Sequence, residues 1–401
     1  MLALAHAREV DIERARYLVS PAGRAALAAI PLDAGGDDPN RLVTRLRKSH
    51  PPAEASAFAE QATLRTKAAQ RFGRDPAMLL TAPGLEMMTH PLVAERRARR
   101  LATLGLPVAD LTCGLGGDLR ACAELGVAAA GIERDPATAI LARANVPAAG
   151  ILLGNAARPP LRLQHLAIIL DPSRRGAARR TFDPAAFSPP WDTCIELLSA
   201  ARASVLKAPP GLDRERVPAS AEMEAVQLRT GMREVTLWAG GNAVPGVRRA
   251  VLLPAGAELT SEAPECPEEP GPIGRYVFDP ESCVTRAGLV RHLAHSLGAW
   301  MLDSQVAYLS ADTPAFDPLA ATFEVLEVVP FSVRRLKELL AARGWRADEI
   351  RRRAFPVEPD ELRRLLGRAQ GRSVTLLCTT IAGSRTVLVA RRLRENPVQA
   401  A

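Results

Sequence analysis

The sequence predicts an α/β fold: a mostly parallel sheet that finishes in an antiparallel hairpin, with a helical region before it and a small α+β domain after it. Three observations carry this expectation. From Leu106 onward the chain repeats strand, turn and helix, the rhythm of parallel strands joined by helical crossovers. LAIILD at 166–171 is an unbroken apolar run closing on an acid, as expected of a strand buried on both faces. Near residue 234 the alternation stops, and EVTLWAGGNAVPGVRRAVLLP reads as two strands joined by a loop rich in Gly, Asn and Pro.

At 401 residues the chain is too long for one ordinary domain and divides into two or three. Its 47% hydrophobic content supports sizeable cores, which fall to Leu, Val, Ile and Ala because aromatics are only 4%. Residues 1–104 read as a helical region: RLVTRLRK and AEASAFAEQATLRTKAAQRFG carry apolar residues at helical spacing, and a further helix starts near Pro91. Residues 105–255 form the α/β domain, with VADLT, VAAAGIE, LAIILD and SVLKAPP as strands. GDLRACAELG, DPATAILARANV and PPWDTCIELLSAARA are the helices between them. Residues 256–320 begin with a Pro- and Glu-rich linker, GAELTSEAPECPEEPGPIG, followed by a small α+β segment in which RAGLVRHLAHSLGAWML reads as one helix. Residues 321–401 form a basic α+β domain, with a strand at FEVLEVVPF, helices at VRRLKELLAARG and EPDELRRLLGRA, and a closing hairpin VTLLCTT-IAGS-RTVLVARR.

The formal net charge of +8 is unevenly placed. Residues 331–401 hold 16 Arg/Lys against 7 Asp/Glu, while the rest of the chain holds 36 against 37. A basic C-terminal end suits a nucleic-acid surface, and a solvated helical face is the alternative. The 48 arginines against four lysines also fit codon usage in a GC-rich genome. The six cysteines form no CxxC pair and stand apart from the histidines, so no metal site is implied and reduced cytoplasmic thiols are expected. MLALAHAREVDIERARYL is broken by charges and is no signal peptide, and no uncharged apolar run reaches the length of a membrane span.

DLTCGLGGD at 110–118 joins a strand to a helix, where backbone N–H groups meet a ligand and glycines allow close approach. A dehydrogenase turn would read GxGxxG, yet after Gly114 and Gly116 the third position is Leu119. Asp110, at the end of the strand, would repel a pyrophosphate and suits the ammonium of S-adenosylmethionine. Glu133 ends the next strand, where a carboxylate accepts bonds from ribose hydroxyls in either cofactor class. Asp118 is expected to start the following helix.

With these residues in place, the sequence resembles the class I S-adenosylmethionine-dependent methyltransferases, whose sheet is Rossmann-like. Asp110-x-x-x-Gly114-x-Gly116 resembles the first motif of that family, and Glu133 stands at its ribose-binding acid. Gly154-Asn155-Ala156 resembles the adenine-contacting third motif, with Asn where Asp is commoner. The resemblance implies cofactor contacts at Asp110, Cys113, Gly114, Gly116, Gly117, Glu133, Asn155 and Ala156. The tail GWRADEIRRRAFPVEPDELRRLLG with its hairpin resembles the THUMP-like domain attached to some bacterial members, and the THPL stretch belongs to the same resemblance. THUMP modules are associated with RNA, chiefly tRNA, so RNA is the implied partner.

Asp171-Pro172 closes the LAIIL strand where these enzymes face the methyl acceptor, which implies catalytic roles for Asp171, Pro172 and Arg174. Base N-methyltransferases often place Pro-Pro-aromatic after such an acid, whereas this chain offers Ser173, Arg174 and Arg175. Those arginines could clamp a phosphate or stack on a base, and Lys207, ending the next strand, could contact substrate or reach solvent. SPPW at 188–191 imitates an acceptor motif but opens a helix, so Pro189, Pro190 and Trp191 are expected to be structural. Cys113 and Cys194 are poorly placed as nucleophiles for a 5-methylcytosine route. Two other functions stay open: an RNA-binding protein with this fold but no turnover, and a small-molecule methyltransferase.

Overall fold

Capping residues begin most of the N-terminal helices in the computed structural model, which describes residues 11–31, 34–35, 38–72, 78–174, 187–209, 211–367 and 370–394. Asp11 accepts from Arg14 N at 2.7 Å to start α1 (Ile12–Val19), and Ser20 accepts from Gly23 N at 3.1 Å to start α2 (Pro21–Ala28). After α3 (Pro39–Leu46) and the long α4 (Pro52–Phe72), Thr81 caps α5 (Ala82–Met87). His90 caps α6 (Pro91–Ala102) through Leu92 N at 3.3 Å. Pro21, Pro83 and Pro91 lie in first turns, where a missing N–H is harmless. Phe58, Leu64, Leu79 and Leu80 centre the core of this region, which extends to Leu115 and Leu141 of the segment that follows.

The chain gathers into two compact units: Met1–Ala221 with Thr236–Pro245, and Glu222–Val235 with Gly246–Ala401. In the first unit, β1 (Val108–Asp110), α7 (Gly117–Glu124), β2 (Ala129–Glu133), α8 (Pro136–Asn145) and β3 (Gly150–Leu153) alternate. There follow β4 (Ala167–Leu170), the two-residue strands β5 (Ser173–Arg174) and β6 (Phe187–Ser188), α9 (Trp191–Ala200) and β7 (Ala203–Ala208). Strand β1 lies parallel to β2 on one side and to β4 on the other, with Val108 opposite Ala129 and Ala167. β7 continues beyond β4 and β3 beyond β2, both in parallel. The strand order therefore reverses between β1 and β4, and ligands of such sheets bind at the carboxyl ends of the strands flanking that switch. The apolar runs read from the sequence form β1, β2, β4 and β7. Strand β3 was not expected; it is short and its leucines are exposed.

The strands expected at EVTLW and RAVLLP form, but not as a hairpin with each other. The hairpin that does form joins β8 (Glu222–Leu228) to β9 (Gly231–Gly240), neighbours linked by two residues, a connection too short for parallel strands. β10 (Arg248–Leu253) instead runs parallel to β8 and antiparallel to β11 (Ala257–Thr260), which lies in the stretch read as linker. Strand β8 was missed because Glu222 and Glu224 make it look polar. Both are buried, and Arg249 of β10 holds Glu222 at 3.0 Å.

The second unit continues with β12 (Tyr276–Pro280), α10 (Ser282–Ala287), α11 (Val290–Ser296), β13 (Trp300–Asp303), β14 (Val306–Ala311) and β15 (Ala320–Pro330). The single helix expected at 286–302 is divided by Gly288, a left-handed cap at φ +68°, and its last residues join β13. α12 (Val333–Arg343), β16 (Trp345–Arg353), α13 (Pro359–Leu366), β17 (Arg372–Ile381) and β18 (Ser384–Arg392) complete a seven-stranded sheet, β13-β14-β12-β15-β18-β17-β16. The expected closing hairpin is β17–β18, paired from Thr375↔Ala390 to Ile381↔Ser384. Leu336, Leu340 and Leu362 of the two helices pack on Leu376, Val387 and Val389. Among the described residues no helix is long and apolar enough to cross a membrane, and no His/Cys/Asp/Glu group could hold a metal ion.

Candidate functional site

The site grows from the turn after β1. Asp110 is only 3% exposed, and its Oδ1 accepts from Thr112 N at 3.0 Å. Cys113 N donates to Ile132 O at 3.1 Å, which ties the turn to β2. Gly114 turns at φ +52°, and a Cβ there would meet open space. Its N–H donates to Glu133 Oε2 at 3.1 Å, while Asp135 N donates to Oε1 at 2.8 Å, so the acid ending β2 is oriented by backbone. Gly116 begins α7 at φ +88°, and a Cβ there would stand 2.8 Å from Val146 Cγ2. A Cβ on Gly117 would stand 3.2 Å from Met88 Cγ. Asn145 of α8 accepts from Leu79 N at 2.8 Å and donates to Leu115 O at 3.1 Å, fastening the turn to the N-terminal helices.

Asp171 follows β4 beside this turn, and its backbone N–H donates to Thr112 Oγ1 at 2.7 Å. Its Oδ2 is paired with Lys207 Nζ from β7. Lys207 also donates to Thr89 Oγ1 at 3.2 Å. Pro172 is buried, and the next two residues form β5, antiparallel to β6 with Arg174 opposite Phe187. The Arg174 side chain and all of Arg175 lie outside the described residues. Asn155 is exposed beyond β3 and accepts from Ala157 N at 2.9 Å, beside buried Ala156. Pairing of β5 with β6 brings SPPW next to Asp171-Pro172 despite its distance in sequence. Trp191 is buried at the start of α9 and meets Phe187 edge-on at 5.6 Å, the structural position expected for it.

Three functional candidates were not foreseen: Thr89, Arg97 and the role of Asp118. Arg97 of α6 is 2% exposed and pairs with Asp118 in the first turn of α7. Thr89 Oγ1 donates to the other Asp118 oxygen, Oδ2, at 2.8 Å. Asp118 is thus inside the starting helix, as expected, but its side chain serves this buried cluster and caps nothing. The available signal was periodicity. Val93, Ala94, Arg97, Ala98 and Leu101 make one buried stripe of α6, and Arg97 occupies an apolar position in it.

Carboxylate crowding sets the electrostatics. Burial, with Asp118 and then Asp171 adding repulsion, pushes the Asp110 pKa from 3.8 up to about 8, against the Thr112 N–H and Arg97. Burial, Asp110 and Glu133 together raise the Cys113 thiol well above its usual range, so this cysteine is a packing residue of the turn and a poor nucleophile. Cys194 is likewise pushed up to about 12 by burial. The arrangement brings together a buried acid, a glycine turn with open space at Gly114, an acid held by backbone N–H groups, and a third acid held by a lysine.

Residues 320–392 match the THUMP domain-like family, and residues 11–68 match a domain of unknown function, DUF8688. An uncharacterized S-adenosylmethionine-dependent methyltransferase of Mycobacterium tuberculosis (strain CDC 1551 / Oshkosh) is 36% identical over 349 residues, 83% of this chain and 95% of that protein. The protein of the same description in strain ATCC 25618 / H37Rv gives the same figures. Among solved structures, a candidate methyltransferase from Porphyromonas gingivalis W83 superposes with a TM-score of 0.72 at 23% identity, over 96% of this chain and 98% of that one. This last likeness is one of fold.

Proposed function

This chain belongs to the S-adenosylmethionine-dependent methyltransferases, and from that premise we propose that it methylates a nitrogen of a base in RNA by direct transfer. The observation that carries the reading is Asp171: it stands at the strand end beside the glycine turn, its backbone N–H held by Thr112 and its Oδ2 paired with Lys207. The residues present fit the cofactor. A buried carboxylate with a raised pKa is relieved by an ammonium, and the turn at Gly114 opens on space where a side chain would stand. Asp110 would hold the amino group, with the backbone from Cys113 to Gly117 passing the methionine moiety. Glu133 would take the ribose hydroxyls, and Asn155 with Ala156 would lie along the adenine.

Bound S-adenosylmethionine supplies an electrophilic methyl group on a sulfonium. Asp171 Oδ1 accepts an N–H of the acceptor amine, turns its lone pair toward that methyl, and receives the proton the nitrogen sheds. Pro172 fixes the chain leaving Asp171, and from their place in the sequence Arg174 and Arg175 would be the residues to bind substrate phosphates. The THUMP-like residues and the 16-to-7 basic excess of 331–401 support RNA as the substrate class. Several arginines there pair with acids, Arg334 with Glu338 and Arg346 with Asp348 inside the stretch, and Arg343, Arg351, Arg353 and Arg391 with Glu327, Asp279 and Glu324 outside it, so only part of the basic excess is left for phosphates.

Mass spectrometry of nucleosides from total RNA of wild-type and deletion strains tests the proposal. The expected result is loss of one methylated nucleoside, restored by the wild-type gene and not by an Asp171→Asn copy. An unchanged profile would favour a small-molecule substrate, and failure to bind S-adenosylmethionine would favour a protein without turnover.

A further inference from the structure

We propose that Thr89 is a positioning residue for methyl transfer: it fixes the Lys207 ammonium against Asp171 by anchoring it to the buried Arg97–Asp118 pair. The inference rests on the reading of Asp171 as the acceptor-orienting acid. Its basis is a continuous chain of polar contacts running from α6 to the ends of β4 and β7. Arg97 pairs with Asp118 Oδ1, and Thr89 Oγ1 donates to Asp118 Oδ2 at 2.8 Å. Lys207 Nζ donates to the same Thr89 oxygen at 3.2 Å and pairs with Asp171 Oδ2.

Each link has a reason to be rigid at its Thr89 end. A lysine ammonium is a point charge on a flexible stem, and each oriented contact narrows the positions it can take. The hydroxyl of Thr89 supplies such a contact, because its single proton goes to Asp118 and its oxygen is thereby turned toward Lys207. Asp118 is in turn immobile, being buried against Arg97 at the first turn of α7. Thr89 itself sits between α5 and α6, one residue before the cap of α6, where backbone geometry is set by His90 and Pro91. The N-terminal helical region thereby reaches the acceptor acid through Thr89 and Lys207. A carboxylate that must align a lone pair with a methyl group is sensitive to small displacements, and misplacement by 1 Å can cost about 100-fold.

Thr89→Val keeps the shape and removes the hydroxyl, and Thr89→Ser keeps the hydroxyl. Both full-length variants would be assayed with labelled S-adenosylmethionine and RNA from the deletion strain, beside Asp171→Asn. The expected outcome for Thr89→Val is a fall in kcat of roughly 10- to 100-fold, with cofactor affinity and melting temperature close to the parent. Thr89→Ser should recover most of the rate. A second readout needs no substrate. The chain has only four lysines, so acylation of each is followed by mass spectrometry, and Lys207 should react faster in Thr89→Val than in the parent or Thr89→Ser. Unchanged Lys207 reactivity overturns the proposal, as does full kcat in Thr89→Val while Asp171→Asn is dead. A Thr89→Val loss that follows cofactor affinity or melting temperature also overturns it, since that pattern marks a structural role. Full transfer by Asp171→Asn overturns the reading of Asp171 instead.

Discussion

Replacing Asp110 with Asn isolates what a carboxylate buried beside two others does to this protein. The amide keeps the shape and the acceptor for Thr112 N but cannot titrate. In the parent, burial and the Asp118 and Asp171 charges push the pKa from 3.8 to about 8. Between those values the folded chain holds a proton that the unfolded chain has released. The contribution to stability is therefore full below about pH 4 and is lost as pH rises through 8. One proton gives a slope of about 1.4 kcal/mol per pH unit, so from pH 5 to pH 7 the parent should lose up to about 3 kcal/mol relative to the variant. Urea midpoints of both proteins across pH 5 to 8 measure this difference, and the titration of groups remote from Asp110 cancels in it. Calorimetry at pH 7 should show S-adenosylmethionine binding to the parent with proton release and not to the variant. Parallel pH dependence of the two proteins would refute the raised pKa, and a variant that still binds cofactor would remove Asp110 as the anchor of its amino group.

Arg97→Met breaks a buried pair from one side, leaving Asp118 uncompensated, and should cost about 3–5 kcal/mol in urea unfolding. Adding Asp118→Leu to it should return a large part of that loss. Gly116→Ala forces φ +88° on an alanine whose Cβ meets Val146 at 2.8 Å, so it should destabilise the fold by about 1–3 kcal/mol and weaken cofactor binding. Gly114→Ala has open space at its Cβ, and its larger effect should fall on cofactor affinity, read by calorimetry, with a stability loss near 1 kcal/mol. RNA binding that uses the basic C-terminal residues should weaken at least tenfold, roughly, between 50 and 200 mM salt in a filter-binding titration.

How much was legible follows from where the information lies along the chain. β1, β2, β4 and β7 are buried strands whose apolar runs are local, and the turn between β1 and α7 carries its glycines and acids within nine residues. Strand β8 is buried throughout but contains two glutamates, and Arg249, on a strand more than twenty residues away, helps make that burial tolerable. Strand β16, WRADEIRRR, sits at a sheet edge, where arginines and acids occupy the exposed alternate positions and hide its period of two. Arg97 was not singled out because the sequence does not say that α6 would meet α7. SPPW was judged by its separation from Asp171, and the β5–β6 pairing cancels that separation. Compensation of buried charge is a tertiary event, so the acids of the site were readable while their partners were not.

That compensation also bears on which cofactor the site accepts. Asp110, Asp118 and Asp171 bring three carboxylates to one place, and Arg97 and Lys207 bring two cations. An unbalanced charge is costly where water is excluded, and the raised pKa of Asp110 is how the protein avoids it: with its proton held, the set is neutral. An incoming ammonium can replace that proton without changing the balance. A pyrophosphate would instead add negative charge to a set that already sheds it by protonation. The distinction drawn from the missing third glycine at Leu119 therefore has a second, independent basis. On the proposed reading, the carboxylates around the turn would favour a cationic ligand through the cost of uncompensated charge, before any question of shape arises, and a proton leaving Asp110 on binding would be the measurable sign of that selection.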